Sequence, residues 1–197
     1  MDNYSKYTFN GWGLSKECMG QVTKIIDDFG LKRALEFGSG QSTYLLEDLN
    51  MDYFSLDDNP EYKADSDKVV LTELVKLSDE SFNQVINNEV RYVDIAFDFP
   101  ITRTRHTRQH NCFYDLRPDT IVGEFDLVIV DGPNGNGRSI AFNVIQDHID
   151  TFAYIVIDDY THYPFVPHLR KIFKDITLVY TGQNPDDPFV IYKINRS

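Results

Sequence analysis

The sequence lacks the features that direct a protein into a membrane or an oxidising compartment. No apolar run approaches the roughly 18 residues that a membrane-spanning helix needs. The first residues, MDNYSKYTFNGWG, have neither the basic nor the apolar stretch of a secretory signal. Two cysteines, Cys18 and Cys112, are too few for a disulfide framework in a chain of 197 residues. We therefore predict a cytoplasmic protein with no membrane association.

Positive charge is also scarce. Lysine and arginine together number 19 against 31 acidic residues, which gives a net charge of −12. Such a surface repels phosphate backbones and argues against nonspecific nucleic-acid binding. One basic segment, TRTRHTRQH at residues 102–110, carries Arg103, Arg105 and Arg108 and no acid. It is either a contact for an anionic substrate or a solvated loop that balances nearby acids.

Apolar patterns of strand and helix type alternate along most of the chain. Helical spacing covers residues 15–29, with Ser15 as N-cap and Gly30 after the last turn, and further helices are predicted over 41–49, 138–149 and from about 164 to 173. Between them lie six strand-like runs: RALEF, YFSL, FDLVIV, AYIVI, ITLVY and FVIYKI. We expect an α/β protein with a mostly parallel sheet and an antiparallel hairpin at the carboxyl end.

The middle of the chain is patterned less clearly. Residues 61–88 are predicted to be helical, and the alternation in 90–99 favours a strand. Residues 98–117 are expected to form a loop on the substrate side of the molecule. With no linker or repeat in the sequence, residues 1–197 are predicted to be one domain, in which 1–30 form a helical lead-in.

Polar residues and glycines follow the predicted strands, where ligands bind in an open parallel sheet. The first strand leads into a glycine-bearing turn at the start of a helix, and the second ends in two acids. The later strands also end in acids. These candidate residues are Glu36, Gly38, Ser39, Gly40, Ser42, Thr43, Asp57, Asp58, Asp131, Asp158 and Asp159.

The turn itself excludes two common nucleotide sites. EFGSGQST lacks the third glycine of the dinucleotide fingerprint, which argues against NAD and FAD. It also lacks the lysine of a phosphate-binding loop, which argues against ATP and GTP.

Taken together, these motifs resemble the class I S-adenosylmethionine-dependent methyltransferases. LEFGSGQST is similar to their motif I, in the LEFGSGxST form of a bacterial and viral subgroup. The resemblance continues through SLDDNPEY, FYDL, FDLVIVDGPNGNGR and VIDDYTHY, in the same order, from about residue 11 to residue 163. It implies a Rossmann-like three-layer sandwich around a seven-stranded sheet whose last hairpin is antiparallel.

The resemblance also implies S-adenosylmethionine (AdoMet) as the cofactor. Glu36, Gly38 and Gly40 would line its methionine and ribose portions, and the neighbouring Ser39, Ser42 and Thr43 complete the turn. Asp57 would hold the ribose hydroxyls, or Asp58 if the correspondence slips by one residue.

Two mechanisms for the methyl acceptor fit the acids after the later strands. Asp131, Asp158 and Asp159 offer oxygen ligands for Mg²⁺, which would bind an acceptor hydroxyl and lower its pKa. In the metal-free alternative, Asp131 or Asp159 orders the hydroxyl and His162 is the general base. Arg138 and the basic segment would then contact an anionic acceptor.

The sequence thus predicts O-methylation of a small polyol, sugar or glycan. The rival interpretation is a noncatalytic binding or scaffold domain with the same fold. Nucleic-acid methylation is disfavoured by the net charge of −12 and by DGPN, which offers no aromatic ring to stack on a flipped base. No oligomeric state is predicted.

Overall fold

The computed structural model describes residues 7–9, 13–61, 63–98, 102–104 and 110–196. Its α-helices are α1 (Lys16–Phe29), α2 (Gln41–Asp48), α3 (Asp79–Ile86), α4 (Tyr92–Asp98), α5 (Ile140–Ile145) and α6 (Phe165–Ile172). A 3₁₀ helix spans Asn136–Ser139. The strands are β1 (Arg33–Phe37), β2 (Asp52–Asp57), β3 (Val69–Leu71), β4 (Leu74–Lys76), β5 (Thr102–Thr104), β6 (Cys112–Tyr114), β7 (Leu127–Val130), β8 (Phe152–Asp158), β9 (Ile176–Thr181) and β10 (Phe189–Asn195).

A seven-stranded sheet in the order β3-β2-β1-β7-β8-β10-β9 forms the centre of the described structure. The pairs within β3-β2-β1-β7-β8 are parallel, and β10 runs antiparallel to both β8 and β9. The order of strands reverses between β1 and β7, so a crevice opens beyond their carboxyl ends. The predicted α/β fold with an antiparallel carboxyl-terminal hairpin is confirmed.

The central strands are buried on both faces, which gives the molecule three layers. On one face, Ala34, Leu127 and Ile129 pack in one cluster with the apolar side of α1. On the other face, Leu35, Val128 and their neighbours pack with residues of α3, α5 and α6. Successive residues of a strand therefore serve opposite layers, and a continuous apolar run such as LVIV is required.

Helix α1 forms as its sequence predicts. The Ser15 side chain accepts from the backbone N–H of Cys18, and Gly30 adopts the left-handed conformation (φ +62°) that ends the helix. The buried side is made by Cys18, Met19, Val22, Ile25 and Ile26.

Between β2 and β7 the sequence predictions were largely wrong. The strand predicted over 90–99 does not form in its described residues, because α4 spans Tyr92–Asp98 with Tyr92 and Ile95 buried at helical spacing. Residues 61–88 are helical only in α3 and otherwise include β3 and β4. Within 98–117, β5 and β6 flank β4 in a second, three-stranded sheet, so this segment is not simply a loop. The predicted helix over 138–149 is shorter and follows the 3₁₀ turn.

A buried amide explains why residues 92–98 are helical. Asn143, fully buried on α5, accepts from the backbone N–H of Tyr92 (2.8 Å), one of the first-turn donors that a helix leaves unpaired. Its Nδ2 donates to the carbonyls of Val85 and Val90 and to the Asn88 side chain, at 3.1–3.2 Å. One side chain thus fixes the end of α3, the start of α4 and their position on α5.

None of the helices in the described part of the chain combines the length and apolar character needed to cross a membrane.

Replacing Asn143 by alanine is expected to lower the free energy of unfolding by about 2–4 kcal/mol, because buried backbone groups lose their partners. Urea denaturation measures the change. Asn83→Ala, which removes an exposed amide from α3, should change stability by less than about 0.5 kcal/mol. Equal effects of the two substitutions would show that Asn143 does not hold these elements together.

Candidate active site

Two loops meet at the carboxyl ends of β1 and β7. Gly38, with φ +92°, lies so close to Gly132 that a Cβ on Gly38 would stand 2.7 Å from the Gly132 nitrogen. A Cβ on Gly132 would stand 2.9 Å from the Gly38 Cα and 2.4 Å from the Tyr114 hydroxyl. The backbone N–H groups of Asp131 and Gly132 both donate to the Phe37 carbonyl. Only glycine fits at both positions. The GSG turn (residues 38–40) and the DGP loop (residues 131–133) are therefore joined through their backbones.

Glu36 lies beneath the GSG turn. Its side chain is fully buried, and Oε2 accepts from the Thr43 and Ser55 hydroxyls at 2.6 Å each. Thr43 Oγ1 in turn accepts from the backbone N–H of Gly40. Burial raises the pKa of Glu36 to about 7, although the hydroxyls of Ser42, Thr43 and Ser55 favour the ionised form. Glu36 therefore supports the turn from below, and it is not exposed on the turn's surface.

Asp57, at the end of β2, is buried and holds the other side of the same turn. Its Oδ2 accepts from the backbone N–H and the hydroxyl of Ser39, at 2.8 and 3.1 Å, and its Oδ1 accepts from the Asn59 N–H. Asp58 is half-buried beside it. Ser42 and Thr43 are buried in the first turn of α2. Of the two acids, Asp57 is the one that the structure binds directly to the glycine turn.

Two further carboxyls face each other after β7 and β8. Burial and, secondly, the Asp131 charge raise the pKa of Asp158 to about 9, against the opposing effect of the Arg138 guanidinium. Burial also raises the pKa of Asp131, against the opposing effect of the Arg138 guanidinium. Asp158 therefore favours its neutral, protonated form beside Asp131 at neutral pH.

Arg138 neutralises this part of the site. Its side chain is 8% exposed and lies 3.6 Å from Asp131 Oδ1 and 3.6 Å from Asp159 Oδ2. It also donates to the carbonyls of Pro133 and Asp158, at 3.0 and 3.1 Å. A guanidinium with this many partners fixes the DGP loop against β8. The sequence had suggested that Arg138 contacts an anionic substrate group. In the structure its guanidinium is already paired with carboxylates.

The same arrangement argues against Mg²⁺. The carboxylates of Asp131 and Asp159 already face the Arg138 guanidinium, which supplies the positive charge that a metal ion would otherwise bring. Across the described ranges, no three His, Cys, Asp or Glu side chains are arranged to hold a metal ion. The predicted metal site at Asp131, Asp158 and Asp159 does not form, because Arg138 supplies the positive charge there.

Asp159 and His162 border a cavity of about 290 Å³ at this edge of the sheet. Asp159 has a left-handed backbone (φ +53°), and its Oδ1 lies 3.5 Å from Nδ1 of His162, whose side chain is 52% exposed. The other residues around the cavity are Asn134, Gly135, Arg138, Tyr163 and Phe165. An exposed imidazole oriented by a carboxylate can accept a proton from a bound hydroxyl.

The basic segment is described only in part. Arg103 lies in β5, and its side chain is outside the described part of the chain, as is the whole of Arg105. His110, which ends the segment, contacts the ring of Tyr163 edge-on, with 6.4 Å between ring centroids. The described end of the segment therefore lies beside the cavity.

Sequence reasoning missed the residues that attach this segment to the DGP loop. The Asn111 N–H donates to Asn136 Oδ1, and Asn136 Nδ2 donates to Asn111 Oδ1, at 2.7 and 2.8 Å. Asn111 has a left-handed backbone (φ +61°), and its side chain also donates to Asp79. Asparagine is among the residues that most often adopt this conformation, but an isolated asparagine in a polar segment gives little signal.

Asp158→Asn is expected to stabilise the protein at alkaline pH. The pKa of this carboxyl is 3.8 in the unfolded chain and about 9 in the folded protein. Between pH 3.8 and about pH 9 the protein must therefore bind a proton when it folds. The free energy of unfolding consequently falls as the pH rises through this range. Asparagine can still donate to Asp131 without that proton. At pH 8 the variant should gain on the order of 2 kcal/mol over the parent, a difference that narrows towards pH 4.

Urea denaturation at pH 4, 6 and 8 measures this effect. Asp186→Asn, at an exposed position, is the control and should follow the parent at each pH. A variant that loses stability at pH 8 would show that Asp158 is ionised in the folded protein.

No family model and no characterised sequence matches this chain. Solved structures do. The 16S rRNA N2 methyltransferase RsmC of T. thermophilus, solved with AdoMet and guanosine, superposes with a TM-score of 0.54 at 10% identity over 96% of this chain. This chain spans 45% of the length of that protein.

Two O-methyltransferases superpose over most of their own length. TomG of Streptomyces achromogenes, from tomaymycin synthesis and bound to AdoMet, has a TM-score of 0.53 at 14% identity, covering 96% of this chain and 83% of its own. A Bacillus cereus O-methyltransferase bound to S-adenosylhomocysteine (AdoHcy) has a TM-score of 0.51 at 12% identity, covering 94% and 83%. The chain therefore has the Rossmann-like fold of AdoMet-dependent methyltransferases.

Proposed function

We propose that this protein is an AdoMet-dependent methyltransferase that methylates a hydroxyl of a small polyol, sugar or glycan. The observation that carries the proposal is the junction of Gly38 with Gly132. It joins the turn that Asp57 and Glu36 hold to the loop that borders the Asp159–His162 cavity. A cofactor on the first loop and an acceptor in the cavity would be neighbours at one sheet edge.

The residues of the turn fit AdoMet. The GSG backbone approaches without side chains, the N-terminus of α2 follows it, and Asp57 stands where a carboxylate can accept from ribose hydroxyls. When bound, AdoMet supplies a methyl group on positively charged sulfur, which is ready for in-line displacement by an oxygen nucleophile. Gly38, Ser39, Gly40, Asp57 and, more remotely, Asp58 would hold it, with Glu36, Ser42 and Thr43 supporting the turn.

The acceptor would react without a metal ion. His162 takes the proton of the acceptor hydroxyl as the oxygen attacks, and Asp159 orients the imidazole and stabilises its protonated form. Asp131 and Arg138 fix the loop that contributes Asn134 and Gly135 to the cavity wall. An anionic group on the acceptor would have to be recognised by Arg103 or Arg105, because Arg138 is buried and paired.

Ribosomal RNA is the substrate of one of the structural neighbours, but the net charge of −12 disfavours it here. The small cavity favours an acceptor the size of a sugar.

Asp57→Asn is expected to weaken AdoMet binding at least about tenfold, because the amide can no longer accept from both the ribose and the Ser39 N–H. Isothermal titration calorimetry with AdoMet measures the change. Asp67→Asn, an exposed neutralisation nearby, should leave binding unchanged. If the parent protein binds neither AdoMet nor AdoHcy, the fold serves a noncatalytic binding domain.

His162→Gln is expected to lower kcat for a hydroxyl acceptor by about 10²–10⁴-fold and to leave the AdoMet Kd unchanged, since the substitution removes only the base. A screen of sugars and polyols for AdoHcy formation supplies the acceptor. Thr161→Ala, at the exposed neighbouring position, is the control. An unchanged kcat in His162→Gln would assign the base to another residue.

A further inference from the structure

We propose that Glu36 senses the charge of the bound cofactor: it is partly protonated in the free protein at neutral pH and ionises fully when the positively charged sulfonium binds. The site then holds AdoMet more tightly than its neutral product AdoHcy. This inference rests on the proposed function, and it concerns a residue that acts through the turn, since Glu36 is not exposed to the ligand.

The geometry around Glu36 leaves its negative charge poorly compensated. The side chain has no exposed surface, Oε2 receives two hydroxyl hydrogen bonds, and Oε1 has no well-aligned donor in the described structure. A buried carboxylate ordinarily needs a cation or several N–H donors. In the described structure the donors to Oε2 are hydroxyls, and the buried Arg138 guanidinium is paired with Asp131 and Asp159.

The groups that face Glu36 from neighbouring elements also favour its neutral form. Asp131, at the end of β7, raises the pKa of Glu36 through its charge, in addition to the larger effect of burial. From β2 and α2 come only hydroxyls, those of Ser55, Ser42 and Thr43, and Tyr53 on β2 is a phenol whose own pKa is raised. The described groups that act most strongly on Glu36 include no cation, so the arrival of one would shift its ionisation strongly.

The GSG turn, which would hold the cofactor, connects that cation to Glu36. Thr43 Oγ1 donates to Glu36 and accepts from the Gly40 N–H, so one hydroxyl separates the carboxyl from the turn backbone. AdoMet and AdoHcy share every other group and differ by one methyl and one positive charge at sulfur. Ionisation of Glu36 releases a proton to the solvent, and the new carboxylate stabilises the sulfonium. After methyl transfer the charge disappears, Glu36 takes up a proton again, and the product is held less tightly.

The test is the number of protons released on binding, measured by calorimetry at pH 6.5 in two buffers of different ionisation enthalpy. AdoMet and sinefungin, in which a protonated amine replaces the sulfonium methyl, should each release about half a proton or more. AdoHcy should release close to none. From pH 7 to pH 6, the affinity for AdoMet should fall about threefold or more, and that for AdoHcy should stay level.

Glu36→Gln identifies the group. The variant keeps an acceptor for Thr43 and Ser55, so it should bind both ligands, release no proton and lose the pH dependence of AdoMet binding. Glu80→Gln, at an exposed position on α3, should behave as the parent. The comparison of three ligands on the parent protein stands even if Glu36→Gln does not fold.

The outcomes separate the two proposals. Equal proton release with AdoMet and AdoHcy on the parent protein, or release that persists in Glu36→Gln, would overturn the charge-sensing role and leave the methyltransferase proposal intact. Failure of the parent to bind either ligand would overturn both.

Discussion

The contact between Gly38 and Gly132 is the constraint on which the rest of the site depends. β1 and β7 are adjacent and parallel, so the loops that follow them leave the sheet at the same edge and compete for the same space. Both loops fit because Gly38 and Gly132 have no side chains and their backbones are in direct contact. As a result, the turn that Asp57 and Glu36 hold and the loop that Arg138 holds form one rigid surface, and a ligand on one loop is placed relative to a ligand on the other.

Charge is distributed over that surface in an unusual way. Four carboxyls, Glu36, Asp57, Asp131 and Asp158, are buried or nearly so around the two loops, and Arg138 is the cation among them in the described structure. Asp57 receives N–H donors. Burial raises the pKa values of the other three, and the Arg138 guanidinium opposes that rise at Asp131 and Asp158 but not at Glu36. The protonation of these three carboxyls therefore depends on their partners and not on residue type alone.

The sequence predicted the parts of the fold in which local pattern and tertiary structure agree. Continuous apolar runs became the buried parallel strands, and Ser15 and Gly30 bounded α1. The alternating pattern of 90–99 was misleading because helix α4 is fixed by Asn143, some fifty positions away in the chain. Within the candidate site, the sequence placed the strand-end residues at one sheet edge, but the surroundings of Arg138 and Asp158 depend on which groups face each other across the loops. That information lies in distances between segments, and no spacing along the chain records it.

These buried acids lower the stability of the free protein at neutral pH, since folding must either desolvate a charge or bind a proton. A core built for stability alone would replace them with apolar residues or give each one a cation. Their position argues for a different reason: they gather at the carboxyl edge of β1, β2, β7 and β8 and not elsewhere in the described core. Features that lower stability, such as buried carboxyl groups, are concentrated at sites where proteins bind ligands and catalyse reactions. If the protein binds AdoMet as proposed, carboxyl groups gathered at one sheet edge would be the electrostatic complement of a ligand that brings positive charge and later loses it.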